Sequence, residues 1–212
     1  HYKVAQPLID KGAPIIIVMP GGVYGPGDSS SIADTMRLFY RGLPLVPAPG
    51  TTLTYAHVDD VAEGHILAAE KGEIGESYIL AGPAIPLGEM VDFWSRLLGR
   101  PAPKLRLPAR LLRPWAPWVG WLGSFVQLPP IFSEEATRIL GATYMARSDK
   151  ARAALGWQTR PLQGGMLETF RWLEADEAAN PPSSERRFGW LVLITAVLLF
   201  FFWRRRRRQS EQ

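Results

Sequence analysis

Residues 15–28 read IIIVMPGGVYGPGD. A short apolar run, Ile15 to Met19, enters a loop holding Gly21, Gly22, Gly25 and Gly27, with Pro20 and Pro26 among them. Asp28, Ser29, Ser30 and Ser31 follow and offer side-chain caps for a helix running through Tyr40. An uninterrupted apolar run of this length suits a strand buried on both faces, as in a parallel sheet. Strand, glycine loop and helix in that order point to an α/β fold, with the loop at the strand end where open sheets bind ligands.

What approaches the glycines is open at this level. A phosphate cradle would use the same ingredients, but the spacing Gly22-x-x-Gly25-x-Gly27 is not the dinucleotide fingerprint, and two prolines remove amide donors. A purely structural turn needs no ligand. The third reading is a loop lying against the non-phosphate part of a cofactor.

The rest of the chain keeps the alternation. HYKVAQPLIDKG ends like a helix, with Val4, Ala5, Leu8 and Ile9 on one face and Gly12 as a C-terminal cap. Leu45–Val46 and Thr52–Tyr55 read as short strands around a Pro49–Gly50 turn. Asp59 or Asp60 is the expected cap of a helix from Val61 to Lys71; Ser77 to Ala81 is a strand and Pro86 to Leu98 an amphipathic helix. Ser133 caps a helix that begins with Glu134 and Glu135, Ser148 caps Asp149 to Leu155, and Leu162 to Ala175 is the last helix of the body.

Of the 24 basic residues, Arg186, Arg187 and Arg204 to Arg208 stand in the last 28 positions with two acids, Glu185 and Glu211. The other 184 residues carry 17 basic and 18 acidic groups, a charge of −1. A neutral body with a cationic end is not a basic nucleic-acid surface, and no nucleic acid is expected as a partner. With no cysteine and only His1, His57 and His65 far apart in sequence, no metal site is expected either.

The body covers residues 1–179 and residues 180–187, NPPSSERR, form a linker. Phe188 to Trp203 are then sixteen residues without charge. A helix of that length spans about 24 Å against a hydrocarbon core of about 30 Å. Trp190 and Trp203 suit the interfaces, and the basic tail 204–212, with Arg204 to Arg208, suits anionic lipid. The segment reads as a transmembrane or membrane-dipping helix. The arginine distribution favours a cytoplasmic C-terminus, whereas a nucleotide cofactor favours a cytoplasmic body; a segment that dips without crossing, a tail that crosses despite its charge, or a preceding N-terminal part that alters topology would each reconcile the two, and the body is expected on the cytoplasmic side. Trp115, Trp118 and Leu122 share a helical stripe with Leu111, flanked by Arg110 and Arg113. That stripe either covers a core or dips its tryptophans into the headgroup region, which would suit a lipid-like substrate.

Three motifs in order, IVMPGGVYGPGD, YAHVDDVAEGHILAAEKG and ATYMARSDKARAALGW, resemble the C-terminal half of an extended short-chain dehydrogenase/reductase, in the branch of NAD-dependent epimerase/dehydratase, dihydroflavonol reductase-like and 3β-hydroxysteroid dehydrogenase-like proteins. The likeness covers roughly residues 1 to 175. It implies a partial Rossmann-like, doubly wound parallel sheet with a small α/β substrate domain. It implies NAD or NADP as cofactor, with only the nicotinamide end held here by Pro20, Gly21, Gly22 and Val23. On the substrate side it implies Tyr24, His57, Tyr144 and Arg147. The implied partners are a small-molecule substrate, the membrane, and a second copy in a homodimer.

The family transfers protons with Tyr-x-x-x-Lys, where lysine lowers the tyrosine pKa. None of Tyr2, Tyr24, Tyr40, Tyr55, Tyr78 and Tyr144 has lysine four residues later. The pair is expected upstream of His1, with no catalytic acid/base within residues 1–212. The expected function is the substrate side of a membrane-attached NAD(P)-dependent oxidoreductase or epimerase. The rivals are a non-catalytic membrane scaffold that reuses the fold and a peripheral binder of anionic lipid.

Overall fold

The computed structural model describes residues 3–112 and 141–180. The Trp115–Trp121 stretch, the helix expected after Ser133, the segment Phe188 to Trp203 and the arginines 204–208 lie outside the described residues. Among the described residues no helix is long and apolar enough to cross a membrane.

In chain order the elements are α1 (Ala5–Ile9), β1 (Ile17–Pro20), β2 (Gly22–Tyr24), α2 (Ser31–Tyr40), β3 (Leu45–Pro47), β4 (Thr52–His57), α3 (Val58–Lys71), β5 (Ser77–Leu80), β6 (Ala84–Pro86), α4 (Leu87–Leu98), β7 (Leu105–Leu107), α5 (Ala109–Leu112), α6 (Asp149–Leu155) and α7 (Leu162–Ala179). The fold is mixed α/β, as the alternation implies. Its described strands form three small sheets rather than one doubly wound sheet. β1 pairs in parallel with β5, β3 with β7, and β2 with β4, while β6 joins β4 antiparallel.

The short strands expected around Pro49–Gly50 form, and they pair elsewhere: Leu45 to Pro47 run beside Leu105 to Leu107, and Thr52 to Thr54 face Pro86 to Ala84. One local expectation is corrected: β1 is not buried on both faces, and Met19 is 38% exposed.

Apolar spacing builds two cores. On one side α2, α4 and α7 bring Phe39, Trp94 and Phe170 together, with ring centroids 5.7 to 6.3 Å apart, separations at which aromatic rings attract. On the other side α3 and α6 cover β5 through Val61, Ala68, Leu80, Leu155 and Trp157. Capping fixes where the helices start. Ser30 Oγ accepts from the Ile32 amide (3.1 Å), and Asp28 Oδ1 accepts from the Ser30 amide (2.7 Å), so the run after the glycine loop does start a helix.

Candidate functional site

The glycine loop turns between the end of β1 and the start of α2, with β4 running beside it. Gly22 pairs with Tyr55 in the β2–β4 ladder, and a methyl group on it would fall 2.4 Å from the Thr54 carbonyl oxygen. The closest approach to this part of the loop is therefore another strand of the same chain, which is the structural-turn reading of these residues. Gly21 is similar: a Cβ there would sit 2.3 Å from Thr54 Oγ1. Farther along, Gly27 has φ of +82° with nothing within 4 Å of its missing side chain; there the glycine is required by the turn alone.

Beside the loop lies a cleft of about 520 Å³, lined by Gly22 to Tyr24, by Pro26 to Ile32, and by Leu53 and Val58 from the opposite wall. That size is ordinary for a small-molecule site. Among the described residues its lining is apolar apart from three serines, the buried Tyr24 and Asp28, and includes no cation. Asp28 Oδ2 is shielded from solvent and accepts no hydrogen bond.

Behind Tyr24 sits a charged cluster. His57 is 1% exposed and meets Tyr24 edge-on, with centroids 5.4 Å apart and planes at 85°. Its Nδ1 accepts from the Asp59 amide (3.3 Å), so His57 caps α3, in place of the expected Asp59 or Asp60. Its buried Nε2 has no hydrogen-bond partner and lies 3.6 Å from Glu168 of α7. Asp60, 5% exposed, takes two bonds from Arg160, which also reaches Asp59 (3.2 Å) and Glu168 (3.4 Å). Burial opposes the Arg160 charge, yet the bonds to Asp60 and Asp59 raise its pKa. Burial, reinforced by the Asp60 charge, pushes the Tyr24 hydroxyl up to about 12. His57, Asp59 and Glu168 offer ligand atoms within 4.8 Å of one another, and the Arg160 guanidinium, held chiefly by Asp60, also reaches both of these carboxylates.

The structure distributes the sequence-derived residues unevenly. Gly22, Val23 and Tyr24 line the cleft, Tyr24 from a buried position in the core. Pro20 and Gly21 stand next to it at the end of β1. His57 is enclosed behind Tyr24 and is not among the lining residues. Tyr144 and Arg147 do not reach the cleft: Tyr144 is 53% exposed and bonded through its amide to the Thr52 carbonyl, and Arg147 reaches out to Asp149. Ser148, expected to cap the helix after it, instead clasps Ala81 at the end of β5, donating to its carbonyl and accepting from its amide. Sequence reading passed over Thr54, Arg160 and Glu168, and used Asp28 only as a cap; the sole sequence sign of Asp28 as a cleft residue is its place on the loop.

No protein-family model matches the chain. It is 26% identical over 166 residues to sterol demethylase protein B of Methylococcus capsulatus, covering 76% of this chain and 50% of that protein. It is 27% identical over 179 residues to short-chain dehydrogenase/reductase family 42E member 1 of Bos taurus, covering 78% and 45%. The crystal structure of gox2253 superposes with a TM-score of 0.64 at 32% identity, over 82% of this chain and 54% of that one. The chain's relatives include members of the short-chain dehydrogenase/reductase and NAD-dependent epimerase/dehydratase family. The chain spans about half the length of the curated relatives it matches. A UDP-glucuronic acid 4-epimerase of Bacillus cereus, solved with NAD and UDP-4-deoxy-4-fluoro-glucuronic acid, shares the Rossmann-like fold at TM-score 0.56 and 19% identity, over 77% of this chain and 46% of that one.

Proposed function

We propose that this chain forms the substrate side of an NAD(P)-dependent short-chain dehydrogenase/reductase and holds the nicotinamide end of its cofactor. One observation carries the reading: the parallel strand β1 ends at Pro20, and Gly22 and Val23 just beyond it line an open, largely apolar cleft. Nicotinamide is a flat, weakly polar ring, and an apolar wall backed by a strand end is a surface such a ring can lie on. The solved relatives that carry NAD or NADPH support the same cofactor here. The reaction class is oxidation–reduction or epimerisation at a hydroxyl or keto carbon of a sugar-nucleotide or hydrophobic substrate. The role of this chain is positioning and substrate choice. The proton-transferring tyrosine–lysine pair is not among its tyrosines, and residues 1–212 alone are expected to show no turnover. Attachment to the membrane through Phe188 to Trp203, with the body on the cytoplasmic side, belongs to the same proposal and rests on the sequence of that segment.

Saturation-transfer NMR of NADH with the full chain tests the cofactor side. The nicotinamide protons should receive the strongest saturation and the adenine protons little, and Val23→Glu should remove the effect. Equal saturation of both rings, or none, would sink the assignment of this loop.

A further inference from the structure

We propose that the face formed by β7 and α5, residues 104–111, docks on an anionic lipid surface, with Leu105 and Leu111 entering the headgroup region between basic side chains. The body itself makes this contact, separately from the attachment through Phe188 to Trp203.

Charge is divided unevenly along the body. No acid stands between Asp92 and Glu134, whereas six basic residues do: Arg96, Arg100, Lys104, Arg106, Arg110 and Arg113. The rest of residues 1–184 holds 11 basic and 18 acidic groups, a charge of −7. An anionic surface repels most of such a body and attracts this one stretch, so the approach to a membrane selects which side faces it.

Within that stretch the structure exposes leucines beside cations. Leu105 is 45% and Leu111 47% exposed, and Lys104 and Arg110, next to them in the chain, are exposed too. Arg106 is engaged by Asp92, and Arg100 by the carbonyl and ring of Tyr40. Lys104 and Arg110 have no acidic partner among the described residues. Among those residues β7 pairs with β3 alone, and basic side chains on such an edge serve to block edge-to-edge pairing. That role leaves the leucines unexplained, since apolar area held in water is unfavourable. A headgroup region suits both, with phosphates for the cations and an apolar boundary for the leucines. Duplex nucleic acid would satisfy the cations and leave the leucines in water. Trp115, Trp118 and Trp121 follow in the sequence, a residue type that favours membrane interfaces.

The chain has no cysteine, so a single cysteine carrying the environment-sensitive dye NBD can be placed at chosen sites in the full chain. Leu105→Cys and Leu111→Cys probe the face. Ile74→Cys probes an exposed apolar site that Glu73 and Glu76 flank in the chain. Each labelled protein is mixed with phosphatidylcholine vesicles, with and without phosphatidylglycerol. On the mixed vesicles only, emission at 105 and 111 should move to the blue and be quenched by doxyl-labelled lipid, while the probe at 74 stays in water. Lys104→Gln with Arg110→Gln should lower the docked-to-free ratio about twentyfold, because each basic group near an anionic surface is worth roughly a factor of five. High salt should release both probes. Flotation of the chain with the vesicles and no response at 105 and 111 would overturn the docking face and leave the anchor at residues 188–203 standing. An equal response at 74, an equal response on phosphatidylcholine alone, no vesicle binding, or a response to duplex DNA in place of vesicles would each overturn it too. The NADH saturation experiment reads the cofactor side, and its outcome is independent of all of these.

Discussion

Arg160 grips Asp60 at two points: its backbone amide donates to Oδ2 at 2.8 Å and its guanidinium Nε to Oδ1 at 2.7 Å. The two residues are a hundred positions apart. The grip ties the first turn of α3 to the segment that leads into α7, and the Asp60 carbonyl adds a third tie by accepting from the Trp157 indole at 2.6 Å. Breaking one side of a buried ion pair is costly because the other charge is left unpaired, less so here because Arg160 is about one-third exposed. Asp60→Ala is expected to lower stability by about 2 kcal/mol and Arg160→Met by more, since it strands the more deeply buried partner. Urea unfolding followed by tryptophan fluorescence measures both.

How much of this was readable beforehand differs by residue. The β1–loop–α2 unit was legible because its signals are local: an apolar run, turn residues, then a serine cap. The role of Asp60 was not. An acid in the first turn of a helix reads as a cap whatever it contacts, and its true partner is chosen by tertiary packing. Ser148 misled in the same way, while the short strands β3 and β4 were legible as strands but not their partners, which come from distant segments rather than across the nearby turn. The cleft was legible through Gly22 to Tyr24, but not through Asp28, whose free oxygen is a fact of three-dimensional shielding. Tyr144 and Arg147 were placed by family likeness alone, and the described geometry sends both side chains outward.

Ser148 replaces a missing strand partner for Ala81. Its hydroxyl accepts from the Ala81 amide at 2.9 Å and donates to the Ala81 carbonyl at 2.5 Å, with Ser148 only 4% exposed. Ser148→Ala should leave two shielded backbone groups unpaired and cost about 2 kcal/mol. Hydrogen exchange at the Ala81 amide should accelerate in step; unchanged protection would contradict the clasp.

Gly165 of α7 lies against the back of the cleft. A methyl group there would stand 2.6 Å from the Tyr24 hydroxyl oxygen and 3.0 Å from His57 Cδ2. Gly165→Ala gains up to about 1 kcal/mol in helix propensity but overpacks rigid rings, which typically costs about 1–3 kcal/mol. A net loss is expected. Tyr24→Phe in the same chain removes the nearest atom and should restore part of it, a coupling that a double-mutant cycle would read directly.

Two of the buried tyrosines, Tyr24 and Tyr55, set an alkaline limit. Burial pushes both Tyr24 and Tyr55 up to about 12 from an ordinary value of 10.0. Between those values the unfolded chain loses its phenolic protons while the folded chain keeps them, so the folded state binds more protons and stability falls as pH rises. The contribution is fully present below pH of about 10 and is lost by about 12, on the order of 2 kcal/mol per tyrosine. Thermal unfolding from pH 8 to 11.5 should show the decline, and Tyr24→Phe with Tyr55→Phe should flatten it. Absorbance at 295 nm should show late ionisation of these two rings.

Ten of the twelve residues that line the cleft come from one uninterrupted piece of chain between Gly22 and Ile32. Such a wall behaves as a cassette. Exchanging that piece between related chains would transplant most of the ligand surface in one step, provided Gly22 is kept for the Thr54 strand and the acceptor of the Ser30 amide is kept for α2. Swaps of this length change the cleft lining with the rest of the fold in place only where Tyr24 and Ile32, which also belong to the core, are kept.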